Sequence, residues 1–302
     1  MTVSRDTRGH CTHRQLLISV VACAVVLTAG CGSGDAPSSP RRASAESPAP
    51  TPAATGDLDR VVKVEGRRGL YVRCTGTGSP TVVMEGGDED TSDSYDFAVP
   101  AVSKVVRTCV YDRANLGQSD PAPGPRGLAD LVGDLERLLA AAEIPGPYVL
   151  VGSSGGGYIT AGYAFEHPRR VAGMAFIDVP PPFRDPPREI VEATDPRNPA
   201  NVEKRDYLQV EKDAWAARRR IGNIPVTIVT DEPSAEMIRA SAWASERRGM
   251  RRNVEAQRGW LVLSPRARQL VVHTGHAVEE ADPELVIRVI LDVVKRARRA
   301  RG

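Results

Sequence analysis

Aromatic side chains are scarce in this chain, at 5% of its residues, with 3 Trp, 7 Tyr and 4 Phe. Charge of one sign is scarce too, since 40 Lys and Arg stand against 38 Asp and Glu, a formal net charge of +2. Together these shortages speak against a nucleic-acid partner. The arginine clusters at Arg218 to Arg220, Arg247 to Arg252 and Arg296 to Arg301 have no interleaved aromatic platform for bases to stack on, and they read as solvated faces. Long hydrophobic runs are missing as well: the apolar run Leu16 to Ala29 falls short of the roughly 18 residues that a membrane-crossing helix needs. No internal repeat is visible, which sets aside repeat architectures. What remains is a 302-residue chain with 41% hydrophobic content, enough for one sizeable α/β domain or two small ones.

The N-terminal segment is more specific. Arg5, Arg8 and Arg14 precede the uncharged run, which ends in Leu27-Thr28-Ala29-Gly30-Cys31, so basic, apolar and small residues follow one another in the order of a signal peptide. The segment resembles the lipobox of bacterial lipoproteins. That resemblance implies loss of residues 1–30, a diacylglyceryl thioether on Cys31 and anchoring on the extracytoplasmic face of the cell membrane. An ordinary secretory signal or an uncleaved anchor is the alternative. Residues 31–57 are rich in Pro, Ala, Ser and Thr and nearly free of bulky apolar side chains, so they are expected to form a disordered tether. Whether the tether is glycosylated stays open.

Five cysteines occur. Cys11 and Cys23 fall in the removed segment and Cys31 carries lipid. For Cys74 and Cys109, in an oxidising compartment, a single disulfide is the economical reading and two buried thiols the alternative.

From Leu58 onward, short β-rich runs alternate with helical segments, a pattern that predicts a largely parallel sheet covered on both faces. Val61 to Glu65 and Leu70 to Cys74 flank Gly66-Arg67-Arg68-Gly69 and predict an opening hairpin. Further strands are expected at Thr81 to Met84, Thr108 to Tyr111, Tyr148 to Val151, Met174 to Asp178, Val226 to Val229 and Gln269 to His273, eight in all. Leu131, Leu135, Leu138 and Leu139 recur at helical spacing within Leu128 to Glu143, as do Leu285, Val286, Val289, Ile290 and Val293 within Pro283 to Arg296. Such stripes bury against a sheet rather than hold a cofactor. The proline-rich start of Pro180 to Asn223 fits neither strand nor helix interior, and the segment, about 180–223, is expected to form a small cap.

The run Tyr148-Val149-Leu150-Val151 leads directly into Gly152-Ser153-Ser154-Gly155-Gly156 and then a helical segment, Gly157 to His167. This is G-x-S-x-G between a strand and a helix, where outer glycines permit a sharp turn that raises the Ser154 hydroxyl above the sheet edge and aims the Gly155 N–H at an oxyanion. Serine needs a base. His276, past the last strand and before the final amphipathic helix, is the candidate, whereas His273 reads as a strand residue.

With these residues in place, the chain from about Asp59 to Arg296 resembles the α/β-hydrolase family. The landmarks are Gly152 to Gly156, Tyr111-Asp112-Arg113-Ala114-Asn115-Leu116-Gly117-Gln118-Ser119-Asp120 and Gly275-His276 followed by Asp282-Pro283. Asn115 stands where the family usually has Gly, and Asn also tolerates a left-handed backbone. The resemblance implies an eight-stranded, mostly parallel α/β sheet with helices on both faces and a cap insertion. Its second and fourth strands are neighbours, which supports a Cys74–Cys109 disulfide. In Met84-Glu85-Gly86-Gly87-Asp88, the place of the oxyanion loop, Gly87 N–H becomes the second donor beside Gly155 N–H, and Glu85 stands where His is common and is read as a buried residue steadying the loop. For the acid behind His276, the family's usual place after the seventh strand is held by Ser234, while its second arrangement, at the end of the sixth strand, is matched by Asp178. Asp178 is therefore chosen, with Asp231 next and Glu232 third.

The implied activity is acyl transfer to water: Ser154 attacks a carboxylic ester, with an amide as the other candidate bond, and His276 carries the proton. No metal or organic cofactor is called for. A small ester or lipid-like molecule of short or medium acyl length is the expected substrate, the membrane lipid anchor the expected contact, and a monomer the expected state. Phe183, Tyr207 and Trp215 of the cap either line an apolar pocket or pack cap on sheet. Epoxide hydrolases and dehalogenases of this fold normally use Asp as nucleophile, which Ser154 is not. The rival reading is a catalytically weak or inactive lipoprotein of the same fold that binds a ligand or partner.

Overall fold

The structure is a computed structural model and describes residues 56–300. The expected signal peptide 1–30, Cys31 and nearly all of the tether lie outside the described residues. In chain order the elements are β1 (Leu58–Glu65), β2 (Arg68–Thr75), β3 (Thr81–Glu85), α1 (Val99–Val102), β4 (Thr108–Tyr111), α2 (Leu128–Ala141), β5 (Tyr148–Ser153), α3 (Gly156–Glu166), β6 (Val171–Ile177), α4 (Arg188–Thr194), α5 (Tyr207–Ala216), β7 (Val226–Asp231), α6 (Ala235–Ala240), α7 (Ala244–Met250), α8 (Asn253–Gln257), β8 (Ala267–Val272), α9 (Val278–Ala281) and α10 (Pro283–Arg299). Among the described residues no helix is long and apolar enough to cross a membrane.

One eight-stranded sheet runs in the order β1-β2-β4-β3-β5-β6-β7-β8. The hairpin β1–β2 and the β2–β4 pair are antiparallel, and every other pair is parallel. Central strands are buried on both faces and so read as continuous apolar runs. Their side chains still alternate: Tyr148 and Leu150 of β5 join the core beneath α2 and α3, while Val149 and Val151 join the core beneath α1 and α10. On α2, Leu131, Leu135, Leu138 and Leu139 are buried, and on α10, Val286, Val289, Ile290, Val293 and Val294. Each such side chain contributes about 1.5–3 kcal/mol when removed from water. Helix α3 has no polar face because it lies between sheet, α2 and α5, with ten of its eleven residues buried.

Cys74 and Cys109 are direct partners in the β2–β4 register and form a disulfide. The motif after β4 closes a turn against β2. Asp112 accepts from Ser92 N (2.7 Å) and Gln118 N (2.8 Å), Ser119 Oγ accepts from Tyr71 N (2.8 Å), and Asp120 accepts from Gly69 N (2.8 Å). Asn115 takes φ +74°, the left-handed conformation its side chain tolerates.

Two excursions interrupt the alternation. Between β6 and β7, α4 buries nothing, while α5 buries Tyr207, Val210 and Ala214. The stretch between these helices is the fixed part of the cap, with Asn201, Glu203 and Arg205 at 0–1% exposure. The second, between β7 and β8, carries α6 to α8 and was not expected from the sequence. Strands β3, β5 and β7 run one or two residues beyond their expected ends, while Asp178 and His273, expected within strands, each lie one residue past them.

Candidate active site

Strand β5 ends in the middle of the sheet, and the chain turns there into α3. Space at this turn is minimal. A Cβ on Gly152 would stand 2.6 Å from Gly157 Cα, and one on Gly156 would stand 2.2 Å from Gly86 O. Ser154 occupies the apex at φ +45°, a region that costs a non-glycine residue about 1–3 kcal/mol and persists only where surroundings impose it. Its N–H donates to Ile177 O (3.0 Å), which leaves the side chain above the sheet edge.

Ser154 Oγ lies 2.9 Å from His276 Nε2, and His276 Nδ1 lies 2.7 Å from Asp178 Oδ2. Of the three carboxylates considered, only Asp178 meets the imidazole. Its other oxygen accepts from Asp231 N (3.0 Å), Gln257 Nε2 (2.5 Å) and Asn253 Nδ2 (3.3 Å), so α8 of the second excursion holds the carboxylate in place. Asp231 faces the loop instead: its Oδ1 accepts from Thr274 N (3.0 Å) and Gly275 N (2.9 Å), fixing the turn that presents His276. Glu232 lies 3.7 Å from His273 Nδ1, at the surface. The hydrogen bond to Asp178 raises the His276 pKa above the ordinary imidazole value, opposed by desolvation and supported by the charges of Asp178, Glu279 and Asp88. Glu279 is fixed by Ser153, whose hydroxyl donates to it at 2.7 Å.

The two expected oxyanion donors differ. Gly155 directly precedes α3 as its N-cap, and its N–H has no partner among the hydrogen bonds of the described residues. Gly87 N–H donates to Asp90 Oδ2 at 2.9 Å, so a protein carboxylate satisfies it in this structure. That carboxylate and Ser154 Cβ both lie on the side of Gly87 where a Cβ would project. Glu85, 1% exposed, accepts from Arg113 Nη1 (2.7 Å) and from the Tyr111 hydroxyl, and burial pushes its carboxyl up.

Sequence reasoning missed five residues here. Asp88 lies against Gly155 and pairs with Arg205 Nη1 at 2.8 Å; Arg205, wholly buried, also donates to Gly155 O at 3.0 Å. Glu203 accepts from Arg113 through both oxygens. Gln257 and Asn253 sit on a helix whose amphipathic signal is too short to read. None carries a local motif, since each acts on residues distant in the chain. The cap aromatics divide: Trp215 packs edge-on against buried Trp260 (4.9 Å between ring centroids), whereas Tyr207 lines a cavity of about 270 Å³ together with Asp88, Glu89, Ala193 and Thr194. That lining sets the carboxylates of Asp88 and Glu89 beside apolar surface.

Comparison with known proteins agrees with the sheet. Residues 80–222 match the family model for the alpha/beta hydrolase fold. An uncharacterized protein of Schizosaccharomyces pombe is 31% identical over 153 residues, 41% of this chain and 28% of that protein. Thus the chain spans little more than a quarter of that relative's length. The uncharacterized protein YqjL of Bacillus subtilis is 22% identical over 222 residues, 72% of this chain and 85% of that one. Among solved structures, the carboxylesterase CesB (YbfK) from Bacillus subtilis superimposes with a TM-score of 0.57 at 15% identity, covering 80% of this chain and 92% of that one. An identity this low speaks to the fold alone. By its sheet order and its helices the chain has the α/β-hydrolase fold, and the segment 80–222 is similar to the model of that family.

Proposed function

We propose that the protein is a serine hydrolase that cleaves a carboxylic ester through an acyl-enzyme on Ser154. The observation that carries this reading is the continuous pair of contacts from Ser154 Oγ to His276 (2.9 Å) and from His276 to Asp178 (2.7 Å). His276 takes the serine proton as Oγ attacks the carbonyl, and returns it to the leaving oxygen. Asp178 holds the imidazole with its Nδ1–H toward the carboxylate and stabilises the imidazolium. Gly155 N–H and Gly87 N–H receive the oxyanion, the latter once Asp90 has given way. Water then releases the acid by the same route. CesB, described as a carboxylesterase, shares the fold and lends the ester reading its class.

The test pairs native fluorophosphonate labelling with a panel of acyl esters. Labelling at Ser154 and loss of ester turnover by several orders of magnitude in Ser154→Ala are expected. Unchanged turnover in that variant would sink the proposal. The Asp90 carboxylate on Gly87 N–H favours the second reading, a weak or inactive hydrolase fold that binds a ligand, and absence of labelling in the unaltered protein selects it. We further propose that Cys31 anchors the protein by lipid to the outer face of the cell membrane. A Cys31→Ser protein that stays in the detergent phase on phase separation contradicts that part.

A further inference from the structure

Arg113 is buried and takes no part in the proton path from Ser154 to Asp178, yet all five of its N–H donors are used. Nε and Nη2 donate to the two oxygens of Glu203 (2.8 and 2.7 Å). Nη1 donates to Glu85 Oε1 (2.7 Å) and Gly86 O (2.9 Å), and Nη2 also reaches Gly87 O (2.6 Å). The two carbonyls are those of the loop whose Gly87, where a Cβ would stand 3.5 Å from Ser154 Cβ, carries the second oxyanion N–H of the proposed mechanism, here donated to Asp90. Gly86 C=O and Gly87 N–H belong to one planar trans peptide and point in opposite directions, so whatever fixes the carbonyl fixes the direction of the N–H.

Glu203 belongs to the cap, not the sheet. Its side chain is 1% exposed, and it also accepts from Glu89 N at 2.6 Å and from the Tyr207 hydroxyl. Its carboxyl is held down to about 2, burial being outweighed by Arg113, Arg205 and the Glu89 N–H. The carboxylate is therefore ionised wherever the protein works. It fills the outer edge of the Arg113 fork, which leaves the inner edge aimed at the loop.

We propose that Glu203 is a positioning residue: through Arg113 it sets the direction of Gly87 N–H, so that the oxyanion site beside Ser154 is complete only while the cap segment Asn201 to Tyr207 is seated. The cap is then part of the catalytic machinery as well as a cover. This inference rests on the hydrolase reading above.

The experiment measures ester turnover per active site, each preparation being titrated to completion with a fluorophosphonate. For Glu203→Gln, which keeps the shape and loses the charge, kcat per titrated site should fall at least about tenfold while KM stays within about twofold. The acid limb of the pH profile should not move, because His276 and Asp178 are untouched. A purely structural role would reduce the fraction of titratable protein and the melting temperature, but leave kcat per site unchanged; that result overturns the proposal. Where Glu203→Gln yields no folded protein, Arg113→Lys serves, since it keeps a cation between Glu85 and Glu203 but loses the fork that reaches Gly86 O and Gly87 O. The same kcat loss is expected, and unchanged kcat per site overturns the proposal equally. Absence of labelling in the unaltered protein overturns the hydrolase reading itself, an outcome distinct from labelling without an effect of Glu203.

Discussion

Asp178 and Asp231 are both buried carboxylates within one residue of a strand end, and the structure gives them different work. Asp178→Asn keeps the shape but presents an amide to His276 Nδ1, which favours the wrong tautomer. A fall in kcat of about 10³–10⁴ is expected. Asp231→Asn keeps an oxygen to accept from Thr274 N and Gly275 N, so the loss should stay under about tenfold. Equal losses would show that the acid has been assigned to the wrong residue. The raised pKa of His276 gives a second check. The imidazole must be neutral to accept the serine proton, so kcat/KM should rise with pH through a midpoint above the ordinary value of about 6.5. Glu279 favours the imidazolium by its charge, and Glu279→Gln should move that midpoint to lower pH; an upward shift in the kcat/KM profile contradicts the assignment. Ser154 and His276 were legible in the sequence because the local context of each, strand–turn–helix and strand–glycine–helix, dictates its place. Asp178 was legible only as one of three candidates. Arg113 was quoted as part of a motif, but its partner Glu203, 90 residues away, leaves no local signal.

Elements that bury a stripe or a full strand were readable because burial imposes a period on the sequence. The eight strands and the helices α2, α3 and α10 fall within a few residues of their expected places. Helices α6 and α7 bury no residue, so no apolar period marks them, and the segment that fixes Asp178 through Gln257 went unseen. The same logic of pairing elements applies to the disulfide. It joins β2 to β4 and closes a loop with a sequence separation of 35, for which chain entropy alone suggests about 4 kcal/mol. The strands are already hydrogen-bonded neighbours, and paired Cys74→Ser and Cys109→Ser changes should lower unfolding stability by about 2–4 kcal/mol, read as a shift of the urea midpoint. Ester turnover per site at 25 °C should be retained, since neither sulfur approaches Ser154. An unshifted midpoint would show that the strands, not the crosslink, set the stability of this edge.

For the whole molecule the near-zero net charge hides an uneven distribution. Carboxylates gather near Ser154: Asp90 accepts from Gly87 N–H, Glu279 accepts from Ser153, and Asp88 lies against Gly155 paired with buried Arg205, while Arg113 is buried between Glu85 and Glu203. Glu211 of the cap adds to them: burial, then the charge of Asp88, raises its carboxyl to about 7, so it becomes negative as the pH passes that value. An approach of this sign attracts cationic substrates and repels anionic ones, to an extent that salt screens. Two 4-nitrophenyl esters of equal acyl length, one ending in trimethylammonium and the other in carboxylate, separate this effect from the chemistry. They share a leaving group, so the protonation of His276 cancels in the ratio of their kcat/KM values. At low ionic strength the ratio should favour the cation at least about tenfold. It should widen between about pH 6 and about pH 8 as Glu211 ionises, because the added charge acts on the two tails with opposite sign. At about 1 M salt, where the screening length falls to about 3 Å, it should shrink toward unity. A ratio near unity at low salt, or one that narrows as the pH rises, would mean that the carboxylates serve the architecture of the cap and do not select the substrate.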